Sequence, residues 1–179
     1  EMNIPLSGGI VIFVLSFYFI DLGLTGIILI SSIFFIGILS DLKLLKSPKF
    51  RIALQIIFVF LIIKFLDIHL VNTRIHILDI FLEYEVFNLF FTCFCILIII
   101  NGSNFIDGVN NSTLGYYLVI STILLFFESN QILLIPIIKI SYLIVILITL
   151  LLFNFLNKLY LGDSGSCQLG LMFSLLLIQ

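Results

Sequence analysis

The most concentrated polar stretch of the chain is residues 101–112, which read N-G-S-N-F-I-D-G-V-N-N-S. It lies between the apolar runs 87–100 and 113–127. An acid, four asparagines, two serines and two glycines at this junction would be destabilising in lipid unless they face water and a ligand. We therefore interpret the junction as a candidate site, with Asp107 as its acid.

Two further polar junctions also carry a carboxylate. Residues 40–51 combine Asp41 with four basic residues, and residues 157–166 hold Asp163 within the sequence G-D-S-G-S. Carboxylate and amide oxygens suit a hard cation such as Mg²⁺, and nearby Lys and Arg side chains bind phosphate oxygens. The G-D-S-G-S segment opens a predicted helix, whose free backbone N–H groups would favour an anion. The alternative interpretation is that the three acids are solvated helix caps.

The composition indicates what positions these junctions. With 62% apolar residues, 10% charged residues and a mean hydropathy of +1.35, the chain is too apolar for a soluble domain of 179 residues. The apolar runs predict an all-α polytopic membrane protein of about seven transmembrane helices. We expect a single integral membrane domain, residues 1–179, that is incomplete at both ends. The alternation in residues 74–81 favours a short extracytoplasmic β-hairpin-like loop near residues 70–86.

Counting the predicted crossings places the three polar junctions on one face of the membrane, because two crossings separate each junction from the next. Five of the eight basic side chains fall on that face: Lys43, Lys46, Lys49, Arg51 and Lys158. By the positive-inside rule this face is cytoplasmic. We therefore expect a multi-pass protein of the cell inner (plasma) membrane with its site on the cytoplasmic side. The net charge of −2 argues against nucleic acid as a partner.

Four motifs follow one another in the chain: P-L-S-G-G-I at residues 5–10, G-I-L-S-D at 37–41 followed by the basic Arg51, N-G-S-N-F-I-D-G at 101–108, and L-G-D-S-G-S at 161–166. They resemble P-T-x-G-G-I, G-x-x-D-D, N-x-x-N-x-x-D-G and F-x-G-D-x-G-S of the polyprenyl-phosphate N-acetylhexosamine-1-phosphate transferases, grouped as glycosyltransferase family 4. That family includes the enzyme that makes lipid I and enzymes that start O-antigen and teichoic acid synthesis. The resemblance covers nearly the whole chain, and its last two motifs are specific.

The resemblance implies a reaction and its participants. Undecaprenyl phosphate would attack the β-phosphorus of a UDP-N-acetylhexosamine and release UMP, with Mg²⁺ as the cofactor. Asp163 would be the principal metal ligand, Asn104 would assist it, and Arg51 would bind the diphosphate. We expect membrane lipid to be a further partner, and a homodimer is a second expectation.

The resemblance also implies roles for the remaining polar residues. Gly108 and Asn110 would lie against the uracil, Tyr160 would stack on it, and Asp41 would handle the polyprenyl phosphate acceptor. The implied substrate-binding residues are Arg51, Asn101, Gly108, Asn110 and Tyr160, and the implied catalytic acids are Asp41, Asp107 and Asp163.

The chain departs from the family pattern at two positions. Ser40 stands where the first paired acid is expected, and Asn110 replaces a frequent second aspartate, which favours the O-antigen-type branch. We expect the family's first transmembrane segment and a later histidine-rich loop to lie outside this sequence.

Two other classes of protein remain as alternatives. One is a non-catalytic transporter or lipid-binding membrane protein, which Pro136 and Lys139 within one apolar run favour. The other is an intramembrane aspartyl protease, because Y-L-G-D at residues 160–163 is similar to G-x-G-D. The protease interpretation lacks the first glycine and a Y-D partner.

Overall fold

A computed structural model describes residues 7–19, 24–108, 111–128 and 137–178, and these residues form eight α-helices and no strand. The helices are α1 (Gly8–Phe19), α2 (Leu24–Asp41), α3 (Pro48–Leu66), α4 (His76–Leu82), α5 (Glu85–Ile106), α6 (Ser112–Glu128), α7 (Ile137–Phe155) and α8 (Gly162–Ile178). The all-α prediction is confirmed for this part of the chain. The core between the helices is built mainly of isoleucine and leucine.

The β-hairpin-like loop predicted near residues 70–86 is wrong, because an irregular segment and the short helix α4 occupy this region. The alternation that favoured a strand also spaces Ile77, Ile80 and Phe81 as one face of a helix would. The carboxylate of Asp79 accepts hydrogen bonds from the backbone N–H and the hydroxyl of Thr73, each at 2.7 Å. These bonds tie the preceding loop to α4 and stabilise the helical alternative.

The lengths of the helices and the apolar side chains on their surfaces can be compared with the prediction of about seven membrane spans. Among the described residues, α5 is the one helix long and apolar enough to cross a membrane by length and composition, and the apolar parts of α1, α2, α6 and α7 are shorter. Large apolar side chains are nevertheless exposed on several helices: Ile28, Phe35, Phe90, Phe94, Val119, Phe126, Phe153 and Phe155. Such a surface suits contact with lipid. The count of about seven spans stays a prediction.

Helix α8 lies at the centre of the bundle. Every residue from 164 to 176 is buried, and α8 packs against α1, α2 and α5. Glycines allow the closest approaches. A Cβ on Gly37 of α2 would overlap the backbone of Ser164, and a Cβ on Gly165 would come within 2.9 Å of the Gly9 Cα in α1. Small residues at helix crossings are what association in a membrane requires, since apolar side chains there gain little by leaving lipid.

Helices α6 and α7 pack against each other and reach the bundle through aromatic side chains. The Tyr117 ring of α6 stacks on Phe173 of α8 with centroids 4.3 Å apart, and its hydroxyl forms a hydrogen bond with Ser103 of α5. Near the start of α7, the Lys139 ammonium lies 5.6 Å from the centroid of the Tyr18 ring in α1. This cation–π contact gives Lys139 a structural partner, so its charge does not require a transport path.

Gly37→Ala is expected to destabilise the protein by about 1 to 3 kcal/mol, because the new methyl group must push α2 away from α8. The measurement is thermal unfolding in detergent. Gly115→Ala in α6 is the matched control, since a Cβ there has nothing within 4 Å. The control should be neutral or slightly stabilising through helix propensity. Equal melting temperatures for Gly37→Ala and the wild type would contradict the packing described.

Candidate active site

Four helix ends meet at one end of the bundle. The last residues of α2, the first turn of α3, the last turn of α5 and the first turn of α8 are joined there by side-chain hydrogen bonds. These bonds bring together Asp41, Arg51, Asn104 and Asp163, which are far apart in sequence. The convergence of the polar junctions follows the crossing count made from the sequence, whereas the roles of the residues stay predictions.

The centre of the cluster is an ion pair between Arg51 and Asp163. Arg51 Nη1 donates to Asp163 Oδ2 at 2.9 Å, and Nη2 donates to Asn104 Oδ1 at 3.0 Å. The Arg51 side chain is only 16% exposed, whereas Asp163 keeps 35% of its side-chain surface exposed. The guanidinium therefore joins α3 to both α8 and α5, and the carboxylate stays accessible to a ligand.

Ser40 is the third partner of this ion pair. Its hydroxyl donates to Asp163 Oδ2 at 2.5 Å and accepts from Arg51 Nη1 at 3.1 Å. A carboxylate at this position would face Asp163 at hydrogen-bonding distance, and two like charges so close repel each other. The serine found here keeps the contact and leaves one negative charge fewer. The sequence indicated Ser40 only as a departure from the family pattern.

Asp41 binds the amino-terminal end of α8. Its Oδ1 accepts from the Asp163 N–H at 2.8 Å, and its Oδ2 accepts from the Ser164 N–H at 3.1 Å. Capping of this kind is worth about 1 to 2 kcal/mol. Gly162 has φ +74° and lies so close that a Cβ would be 3.0 Å from Asp41 Oδ2. The expectation that free N–H groups at this helix end would bind an external anion is thus wrong for these two amides, because Asp41 is their anion.

Asn104 is oriented by a residue that the sequence reasoning did not single out. Its amide nitrogen donates to Ser166 Oγ at 3.2 Å, and Ser166 Oγ donates to the Asp163 carbonyl oxygen at 3.2 Å. With the nitrogen so held, the Asn104 oxygen faces Arg51. The position of Ser166, three residues after Asp163 on the helix, was the available indication, since residues at this spacing share a helix face.

Asp107 lies in the turn that ends α5. Burial raises the pKa of its carboxyl from 3.8 to about 6, a hydrogen bond from Thr113 acts in the opposite direction, and the negative charges of Asp163 and Asp41 add to the increase. The charges of the cluster therefore affect the pKa of Asp107, although Asp107 forms no direct hydrogen bond with Asp41 or Asp163.

The other predicted residues lie outside this network. The Asn101 amide nitrogen donates to the Leu97 carbonyl oxygen at 2.9 Å, and the Tyr160 hydroxyl donates to Asn157 at 3.2 Å. Gly108 is exposed. Asn110, like Pro5 and Pro136, lies outside the described residues.

Asp163 and Asn104 fit the predicted Mg²⁺, because both side chains offer oxygen atoms and Mg²⁺ prefers oxygen ligands. Asp163 Oδ2 is occupied by Ser40 and Arg51, so Oδ1 is the carboxylate oxygen open to a cation. Within the described ranges, no group of three acidic, histidine or cysteine side chains could hold a metal ion. A cation here would thus take few protein ligands and complete its shell with water and phosphate, as Mg²⁺ commonly does.

Comparison with models of protein families gives a match. The family model named Glycosyl transferase family 4 matches residues 23–179, which is most of the chain and includes the whole hydrogen-bonded cluster. No curated protein and no solved structure is significantly similar to the chain.

Asp107→Asn is expected to change how stability depends on pH. The folded-state pKa of about 6 lies above the ordinary value of 3.8, so the folded protein holds this proton more tightly than the unfolded chain does. The stabilisation from the proton is complete below the unfolded pKa and is lost as the pH rises through the folded pKa. The Asn variant, which cannot titrate, should therefore gain in melting temperature relative to the wild type from about pH 4 to about pH 7.

Thermal unfolding of both proteins across this range is the measurement. Asp67→Asn, which removes an exposed aspartate at the end of α3, is the control for loss of a carboxylate elsewhere. A difference between Asp107→Asn and the wild type that stays constant over the whole range would contradict the raised pKa.

Proposed function

The chain belongs to glycosyl transferase family 4, and on that basis we propose that it transfers N-acetylhexosamine 1-phosphate from a UDP-sugar to undecaprenyl phosphate and releases UMP. Members of the family are membrane-integral transferases that act on a sugar nucleotide and polyprenyl phosphate. The identity of the sugar nucleotide and the release of UMP are the proposed part. The observation that carries the proposal is the cluster of Arg51, Asp163 and Asn104 where four helix ends meet.

Arg51 is assigned to the diphosphate of the nucleotide sugar. Its guanidinium carries the positive charge that phosphate oxygens attract, and Nη2 keeps one N–H beyond its bond to Asn104. Asp163 and Asn104 would hold Mg²⁺, which supplies charge neutralisation on the diphosphate oxygens. Because the Asp163 carboxylate already contacts Arg51, the cation and the guanidinium would act on the same diphosphate from adjacent positions.

The proposed chemical step is an in-line displacement at the sugar-linked phosphorus. A phosphate oxygen of the acceptor forms the new P–O bond, the bond between the two phosphates of the donor breaks, and its electron pair leaves on UMP. Arg51 binds this diphosphate before and during the step, and electrostatic binding of this kind is the main contribution a protein makes to phosphoryl transfer. Asp107, with a pKa of about 6, is assigned to accept the last acceptor proton on a carboxylate oxygen, because phosphate monoesters lose it near the same pH.

Asp41 and Ser40 support this step from the side of α2. The family pattern assigns Asp41 to the acceptor phosphate, and its carboxylate also holds the helix end that carries Asp163. Ser40 holds Asp163 Oδ2 directly. We keep the uracil assignment for Gly108, Asn110 and Tyr160, and the O-antigen-type branch for the reaction.

The site is assigned to the cytoplasmic face of the plasma membrane. Lys43 and Lys46 are exposed in the loop between α2 and α3, beside the cluster, and Lys158 is exposed just before α8. Positive charge beside one end of a helical bundle is typical of its cytoplasmic end. A site there would meet soluble UDP-sugars and the phosphate end of a lipid acceptor.

Asp163→Asn is expected to lower Mg²⁺-dependent UMP release by about a hundredfold or more, because an amide of nearly the same shape cannot neutralise the cation. The assay uses membranes containing the full-length protein, undecaprenyl phosphate and a panel of UDP-N-acetylhexosamines. Asp67→Asn, an exposed aspartate at the opposite end of α3, is the control. Full turnover by Asp163→Asn would exclude the proposed metal ligand.

Arg51→Gln is expected to raise the KM for the nucleotide sugar by about tenfold or more, with a much smaller change for the lipid acceptor, because the lost donors belong to the diphosphate contact. Arg74→Gln removes an exposed arginine and serves as the matched control. Initial-rate kinetics with each substrate varied in turn separate the two constants. A larger change for the lipid would assign Arg51 to the acceptor instead.

A further inference from the structure

Arg51 has a buried donor that its known contacts do not use. Nη1 bonds Asp163 and Ser40, and Nη2 bonds Asn104, but Nε is buried and has no hydrogen-bond partner in the protein. A buried N–H of a charged group without an acceptor is strongly unfavourable. The bonds made by Nη1 and Nη2 therefore do not account for the whole guanidinium group, because the buried Nε–H still needs an acceptor.

Gln55 lies one helical turn further along α3. It is completely buried, and its amide nitrogen points to Cys167 Sγ of α8 at 3.7 Å, whereas its carbonyl oxygen Oε1 has no partner in the protein. Cys167 follows Asp163 by one turn, so the two α3 side chains reach α8 at successive turns. Gln55 thus lies on the same side of α3 as Arg51, one helical turn further into the bundle than the cluster.

The two orphaned atoms are complementary. One is a buried donor and the other a buried acceptor, and side chains four residues apart on a helix have Cβ atoms about 6 Å apart. The backbone N–H groups inside α3 are occupied by the helix itself and cannot serve the Gln55 carbonyl. Arg51 Nε is the buried, unused donor on this helix face.

We propose that Gln55 is a positioning residue for Arg51: one buried water accepts the Arg51 Nε–H and donates to the Gln55 carbonyl oxygen, which satisfies both atoms. This water bridge fixes the rotation of the guanidinium plane, so that Nη1 and Nη2 face Asp163 and Asn104. The consequence for the nucleotide-sugar diphosphate rests on the proposed function, whereas the Arg51–Gln55 link does not.

The first experiment observes the link without any substrate. In full-length protein labelled with ¹⁵N-arginine, the Nε–H resonance that disappears in Arg51→Lys belongs to Arg51. In Gln55→Met, which replaces the amide by an apolar chain of similar length, this proton should exchange with solvent about tenfold faster, because the bridging water loses the group that holds it. The Nε–H of the exposed Arg74 should not change.

Gln168→Met is the matched control. Gln168 is also completely buried, its amide nitrogen donates to Ser16 Oγ at 3.0 Å, and its carbonyl oxygen has no partner in the protein. It should leave the Arg51 resonance unchanged, although it also removes a buried amide. Unchanged exchange of the Arg51 Nε–H in Gln55→Met would overturn the proposal, whatever reaction the protein catalyses.

The second experiment is a double-mutant cycle on the KM for the nucleotide sugar. Gln55→Met alone should raise this KM by about tenfold with little change in kcat. The Arg51→Lys variant lacks the guanidinium Nε–H but keeps the positive charge. In that variant, adding Gln55→Met should change the KM for the nucleotide sugar by less than about twofold. Effects that multiply independently would overturn the positioning role. Absence of turnover in the wild type would reject the proposed function and leave the exchange experiment to decide on Gln55.

Discussion

The structure depends on how the first turn of α8 is satisfied. This helix starts inside the bundle, and its first N–H groups have no carbonyl partner within the helix. Where water is scarce such groups are costly, and the two carboxylate oxygens of Asp41 accept from two of them. Because Gly37 lets the α2 backbone lie directly against Ser164, the same contact fixes the relative height of α2 and α8. Asp163 is consequently held at one defined position.

The rest of the cluster follows from that position. Once Asp163 is fixed, Arg51 can pair with it from α3 and reach Asn104 on α5 and Ser40 on α2, so that one guanidinium joins four helices. Two carboxylates, Asp41 and Asp163, lie in the cluster, and the ion pair of Arg51 is with Asp163. The remaining excess of negative charge favours a cation, whereas the exposed lysines nearby favour an anion, and the metal-bound diphosphate of the proposed function would satisfy both.

Much of this arrangement could be predicted from the sequence, because apolar runs and polar junctions are direct consequences of burial and hydration. The crossing count places Asp41, Asn104 and Asp163 at one end, and the structure brings them together.

Other parts of the structure could not be predicted in this way. The alternation near α4 predicted a strand where a helix forms, since a short stretch can match both the two-residue period of a strand and the 3.6-residue period of a helix. The sequence also could not separate a carboxylate that caps a helix from one that binds a ligand, because both uses select Asp beside Gly and Ser. Gln55 gave no indication of its place, since a lone glutamine in an apolar run looks the same whatever it touches.

The complete burial of α8 from residue 164 to residue 176 has a consequence for the evolution of this chain. Helices at the edge of a bundle alternate between constrained inward positions and permissive outward ones, which produces a period of about 3.6 residues in sequence variation. A helix enclosed on all sides has no permissive stripe. Random mutagenesis should therefore find α8 uniformly intolerant along its length, and drift among related chains should be concentrated on the helices that surround it.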